Sequence, residues 1–187
     1  MCGAFGLRQN LQAYRLGFKV DFTLFESFKP MDIVRPGTYL PITTNDEPSV
    51  AQYGYWGYPI HWSGKEKNLI NARVETIFEK PTFRKSAIER RCIIFADGFY
   101  EWKEINGKKK PFYFALKTFE PFAFAGIWKL KETPKGEIPG FVILTTEPNS
   151  VVEPIHDRMP VILNPDQAQD WLNESKITSS KVDLQML

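Results

Sequence analysis

The chain has 187 residues, of which 43% are hydrophobic and 14% aromatic, with 15 phenylalanines. That length fits one domain over residues 1–187, and a chain of this size buries about 70% of its unfolded surface, so its core needs no staples. With 24 Lys and Arg against 22 Asp and Glu the net charge is +2, and the composition excludes collagen-like, disordered, disulfide-scaffold and whole-molecule polycation classes.

Met1-Cys2-Gly3-Ala4 lacks a basic stretch followed by an apolar one, so no signal peptide is expected. No run approaches the length of a membrane helix. The two cysteines, Cys2 and Cys92, are far apart and read as reduced thiols of a cytoplasmic protein, nucleoid-associated if the source is bacterial. Asn173-Glu174-Ser175 matches a glycosylation acceptor and, without secretion, reads as chance. A small second residue favours removal of Met1, which would leave Cys2 at the N-terminus with an α-amine and a thiol on adjacent carbons.

Along the chain, Asp21 to Phe28 reads as a short helix, and proline-rich Pro30 to Pro48 as loop and extended chain. Aromatic, Gly-containing Ala51 to Trp62 suits strand and turn, and Thr82 to Arg91 reads as a helix with Phe83, Ala87 and Ile88 on one side. Cys92 to Phe95 is a strand. Phe99 to Glu104 and Lys109 to Leu116 flank Asn106-Gly107, a strong hairpin signal. Phe122 to Trp128, Phe141 to Thr145 and Pro160 to Leu163 read as further strands, and Asn164-Pro165-Asp166 opens a helix running to about Glu174. The expected fold is α+β and β-rich, without βαβ alternation.

Four constellations carry chemistry, each with a plainer reading beside it. Cys2 is either an ordinary terminal residue or a nucleophile. An α-amine with a pKa of about 7.7–8.0 and a thiol near 8.5 are both partly deprotonated near neutrality. The pair can attack an amide, or condense with an aldehyde to an imine that the thiol closes to a thiazolidine. Glu101, in Gly98-Phe99-Tyr100-Glu101-Trp102-Lys103, shares a strand face with Phe99. It is either a surface carboxylate or a desolvated one with a raised pKa, suited to proton transfer. His156 lies between charges and prolines in Glu153 to Pro160, where it is structural or an acid/base group, while His61, among aromatics, reads as structural. Asn71, in Asn71-Ala72-Arg73-Val74-Glu75-Thr76, is a helix cap or a substrate-binding amide, with Arg73 reaching a phosphate.

Lys80 to Arg91 holds Lys80, Arg84, Lys85, Arg90 and Arg91 against Glu89 alone, and Lys108 to Lys110 forms a second basic run. These are solvated faces or, with Tyr55, Trp56 and Tyr58 as surface aromatics, a single-strand nucleic-acid surface. The Cys and His residues form no close ligand pair, so no metal site and no cofactor are expected.

Taken in order, Met1-Cys2-Gly3, Tyr55-Trp56-Gly57, Asn71 to Thr76, Arg91-Cys92, Gly98 to Trp102 and Pro154-Ile155-His156-Asp157-Arg158-Met159-Pro160-Val161 resemble the SRAP family of abasic-site processing, SOS-response-associated peptidase-like proteins. The resemblance implies a barrel-like β-rich core with a cationic DNA cleft and a few short helices. It implies a protein that binds single-stranded DNA and cross-links covalently to the aldehyde of an abasic site, with AP-lyase and self-processing peptidase activity. A monomer is expected, since one adduct needs one chain. Cys2 then corresponds to the cross-linking cysteine, Asn71 to the asparagine that holds Cys and sugar, Glu101 to the proton shuttle, and His156 to the acid/base histidine near the sugar-phosphate. Arg73 corresponds to a DNA-contacting arginine, and Arg84, Lys85 and Trp56 join it as expected DNA contacts.

There are departures from the family pattern. Ala4 stands where the family usually has Arg, the asparagine expected near Thr38 to Pro41 is absent, and Gly6 to Pro36 matches poorly. The rival readings are an N-terminal-nucleophile amidohydrolase of the glutamine amidotransferase type, which Met-Cys-Gly also opens, and a non-covalent single-strand-binding module.

Overall fold

The structure is a computed structural model that describes residues 2–134, 136–174 and 183–187. Met1 and Ser175, on which the expected processing and the acceptor motif depend, lie outside the described residues.

The first half of the chain supplies β1 (Ala4–Leu7), α1 (Leu11–Phe18), β2 (Met31–Val34), β3 (Tyr39–Thr44), β4 (Gln52–Trp56), β5 (Tyr58–Trp62), β6 (Lys65–Leu69), β7 (Asn71–Arg73) and α2 (Pro81–Glu89). The second half supplies β8 (Arg91–Ala96), β9 (Gly98–Ile105), β10 (Lys108–Leu116), β11 (Phe122–Thr133), β12 (Gly136–Thr146), β13 (Met159–Pro160), β14 (Ile162–Leu163), α3 (Pro165–Glu174) and β15 (Leu184–Met186). The expected α+β, strand-rich class is what forms.

A barrel closes through β12–β4–β3–β8–β11 and back to β12. All its pairings are antiparallel except β4 with β12. Closure removes the exposed edges that an open sheet would present. β13 and β14 extend it on β12 and β11, and short β7 runs parallel to β12. A second sheet, in the order β15-β10-β9-β1-β2, lies against the barrel. Alternation puts Phe5, Phe99 and Phe114 on its inner face, where Phe5 meets Trp56 and Phe124, and Phe99 stacks on Phe114. Part of the high aromatic content thus forms the seam between sheet and barrel.

Local signals explain most elements. Asn106 and Gly107 both have positive φ, the geometry of a tight type I′ turn, and join β9 to β10. Asn164 Oδ1 accepts from the Gln167 N–H while Gln167 reaches back to the Asn164 N–H, a reciprocal cap for α3.

Three expectations change, and β6 and α1 form where the sequence carried none. Asp21 to Phe28 forms only a 3-10 turn at Thr23–Phe25, because the Asp21 carboxylate accepts from the Thr23 N–H and hydroxyl and so favours a turn. Pro30 to Pro48, read as loop and extended chain, contains β2 and the barrel strand β3. The α2 helix stops at Glu89, so Arg91 opens β8, and Ile88 is exposed while Phe83 and Ala87 are buried. β6 is a strand despite its Lys-Glu-Lys-Asn sequence, since the Ser63-Gly64 turn, with positive φ at both residues, folds it onto β5. Helix α1 carries no sequence expectation, yet Asn10 caps it, with Oδ1 accepting from the Ala13 N–H, and it buries Tyr14 and Phe18.

Candidate active site

Four elements converge at the seam. Cys2 lies one residue, Gly3, before β1, whose pairing with β9 sets Ala4 opposite Tyr100 and so brings Cys2 toward Glu101. Asn71 opens β7, held against β12 by the Asn71–Ile143 register. His156 stands in the loop joining β12 to β13.

Cys2 is fully buried. The Asn71 side-chain N–H donates to the Cys2 carbonyl at 2.9 Å, so Asn71 fixes the cysteine's backbone and is a strand residue, not a helix cap. Its other polar atom, Oδ1, is buried and has no hydrogen-bond partner among the described residues, which leaves an acceptor for a substrate hydroxyl. The Cys2 thiol donates to the Ala4 carbonyl at 3.8 Å. Burial, and next the Glu101 charge, push its pKa far up, so the thiol is neutral at physiological pH.

Glu101 is 2% exposed, on the inner face with Phe99. Burial pushes its carboxyl up to about 7, with the Asp157 charge adding in the same direction. His156 Nε2 lies 3.9 Å from Glu101 Oε2. Its Nδ1 lies 3.0 Å from the Arg158 N–H, while Nε2 faces Glu101. Asp157 Oδ1, 2.8 Å from Nδ1, favours a charged ring, but burial dominates and lowers the histidine's pKa.

Two ties hold the His156 loop over the site. The Lys103 ammonium, two residues beyond Glu101 on β9, donates to the Pro154 carbonyl at 2.7 Å. Arg158 grips Glu75 through two bonds of 2.9 and 2.8 Å and also donates to the Thr145 carbonyl. An open cavity of about 550 Å³ beside His156 is lined in part by Glu147, Glu153 and Asp157, a wall that repels phosphate.

The expected DNA contacts divide. Arg73, Arg84 and Lys85 are exposed, the first next to Asn71 and the others on α2. Trp56 is 1% exposed and its indole N–H donates to the Ile70 carbonyl, so it is a core residue with no face for a base. Tyr58 is likewise buried, its hydroxyl engaged by Thr82 and Ser86. Arg91 leaves the basic run for the interior, where it donates to the carbonyls of Ile88, Trp171 and Leu172. His61, read as structural, is exposed on the β5–β6 hairpin, opposite Glu66. The exposed tryptophan there is Trp62, which sequence reasoning passed over although it ends the same aromatic stretch.

A sequence model described as SOS response associated peptidase (SRAP) matches residues 1–187. The chain belongs to the SRAP family. It is 41% identical over 181 residues to the abasic site processing protein YoqW of Bacillus subtilis, covering 92% of this chain and 80% of that one. It is 34% identical over 179 residues to the abasic site processing protein YedK of Escherichia coli, covering 93% and 80%. Among solved structures, a Bacteroides thetaiotaomicron protein superposes with a TM-score of 0.75 at 29% identity, over 94% of this chain and 82% of that one. A Bordetella bronchiseptica protein at 24% identity shares the fold with a TM-score of 0.81, over 99% of this chain and 98% of that one. This SRAP chain contains no helix, among the described residues, long and apolar enough to cross a membrane.

Proposed function

We propose that this SRAP protein processes abasic sites in single-stranded DNA by forming a covalent thiazolidine at Cys2 once Met1 is removed. The observation that carries the reading is the buried Cys2 with its carbonyl held by Asn71 and the buried Glu101 carboxyl as its charged neighbour. That the YoqW and YedK relatives are abasic site processing proteins supports the substrate class.

The ring-opened abasic sugar presents an aldehyde. The Cys2 amine adds to its carbon, and the amine proton passes to the oxygen. Protonated Glu101 gives a proton to the resulting hydroxyl, which leaves as water, and an imine forms. The neutral Cys2 thiol then adds to the imine carbon. Its proton is taken up by the Glu101 carboxylate while the nitrogen, protonated since water left, keeps the second amine proton, which closes the ring and restores the acid. The net reaction joins aldehyde and aminothiol with loss of one water. His156, with its Nε2 3.9 Å from Glu101, supports the acid/base steps, and as a base at the imine stage it suits strand incision by β-elimination. Arg73, Arg84 and Lys85 supply phosphate contacts, and exposed Trp62 a stacking face for a base. Self-cleavage that exposes Cys2 accounts for the peptidase name without a general protease.

Protein lacking Met1, mixed with a single-stranded oligonucleotide carrying an abasic site, should give a band shift that survives a denaturing gel. Cys2→Ala should abolish it. Absence of the adduct with Met1 shown by intact mass to be gone would overturn the reading. Glutamine hydrolysis in place of any adduct would install the amidohydrolase.

A further inference from the structure

Asp97 lies outside the site, yet an unusual number of donors converge on it. Its buried carboxylate accepts from the backbone N–H groups of Arg8 and Gln9 and from the hydroxyls of Tyr14 and Tyr113. Its own N–H donates to the Gly6 carbonyl at 3.1 Å. One side chain thus joins the chain just after β1 to α1, through Tyr14, and to β10, through Tyr113. Both phenols keep their protons, since burial and then the Asp97 charge raise them well above the ordinary tyrosine value.

The packing around this joint is close. A Cβ on Gly98 would fall 2.1 Å from the Tyr113 ring, and one on Gly6 would fall 2.8 Å from both the Tyr113 hydroxyl and the Asp97 carboxylate. Gly6 and Gly98 are register partners, so β1 and β9 cross directly beneath this ring. The strand being held is short. β1 has four residues, three register partners on β9, and an irregular pairing with β2. Cys2 sits at its other end, about 13 Å from Gly6 at strand rise. A slip of one residue would turn each side chain to the opposite face and carry Cys2 off Asn71.

We infer that Asp97 is a positioning residue for Cys2: by fixing the far end of β1 it holds the register that keeps the thiol and amine beside Glu101 and Asn71. The inference rests on the proposed reading of Cys2, but the retention of Cys2 is measurable without DNA. Cys92, fully buried on β8, is an internal control for global loosening.

The test uses full-length protein lacking Met1, alkylated with iodoacetamide and mapped by mass spectrometry, in wild type, Asp97→Asn and Tyr113→Phe. Tyr113→Phe keeps the ring over the glycines and removes only the bond to Asp97. Alkylation of Cys2 should rise about tenfold in Asp97→Asn and about threefold in Tyr113→Phe, with Cys92 still protected, as local opening predicts. The first-order rate of cross-linking at saturating abasic DNA should fall by about tenfold or more in Asp97→Asn, as expected for a misplaced nucleophile. End-point yield and retention of undamaged single strands should be unchanged. If Asp97→Asn does not fold, Tyr113→Phe decides alone. Continued protection of Cys2, or exposure of Cys2 and Cys92 together in Tyr113→Phe, would overturn the positioning role. A wild type that never cross-links would defeat the proposed chemistry while the alkylation contrast still decides Asp97.

Discussion

Glu101 needs two protonation states to serve both halves of the proposed reaction, and its burial provides them near neutral pH. Its carboxyl titrates at about 7 in the folded chain against a free value of 4.5. The acid form must coincide with a neutral Cys2 amine, whose pKa lies at about 7.7–8.0, so the rate of adduct formation should be bell-shaped with its maximum between the two. In Glu101→Gln the alkaline limb should vanish and the plateau should drop about 10²-fold or more. Single-turnover rates between pH 5 and 9.5, to use roughly the span over which both groups titrate, make the comparison. An unchanged alkaline limb would remove Glu101 from the proton transfers. The same shift has a stability consequence of definite sign. Between 4.5 and about 7 the folded state holds a proton that the unfolded state releases. The stability linked to Glu101 is therefore complete below 4.5 and lost as pH rises through 7. Glu101→Gln should raise the thermal midpoint at alkaline pH by more than at acid pH. Equal shifts at both would mean that the carboxyl is not held up in the folded chain.

At the scale of elements, α2 shows how a charge run misleads. Lys80 to Arg91 carries five basic residues against one acid, but the helix ends at Glu89 and turns Arg91 into the barrel wall, where it serves carbonyls from α2 and α3. Arg91→Met should lower the thermal midpoint by about 10 °C or more, because three carbonyls lose a charged donor, each such bond being worth about 1.5–3 kcal/mol. It should leave retention of single-stranded DNA on a column unchanged. The double variant Arg84→Glu, Lys85→Glu should do the reverse. A loss of DNA retention in Arg91→Met at full stability would return Arg91 to the DNA surface. Elements with self-contained signals were legible in advance: the Asn106-Gly107 hairpin, and α3 from its Asn-Pro-Asp opening. β6 was not, because its polarity reflects a hairpin solvated along most of its length, and periodicity registers only burial on one side. Trp56 and Trp62 are six residues apart in one aromatic stretch, and only the closure of β4 into the barrel makes the first core and the second surface.

At the scale of the molecule, the aminothiol, the carboxylate and the imidazole were visible as residue types, but their convergence was not. It depends on pairings between distant segments: β1 with β9, β7 with β12, and the ties from Lys103 to Pro154 and from Glu75 to Arg158. Those pairings also decide how charge is used. A net charge of +2 cannot hold DNA by its bulk field, and the carboxylates lining the cavity beside His156 disfavour phosphate there. On the proposed function, binding therefore splits into a weak ionic step and a covalent one. If Arg73, Arg84 and Lys85 each meet one phosphate, the logarithm of affinity for undamaged single strands should fall with the logarithm of salt at a slope of about −2. The initial cross-linking rate at sub-saturating abasic DNA should fall in parallel, since the encounter is shared. An adduct formed at low salt should then survive transfer to about 1 M salt, where ionic contacts are screened over roughly 3 Å. Filter binding and denaturing gels measure the two steps separately. A salt slope near zero would deny the cationic face its role, and loss of the adduct in high salt would mean that no covalent bond had formed.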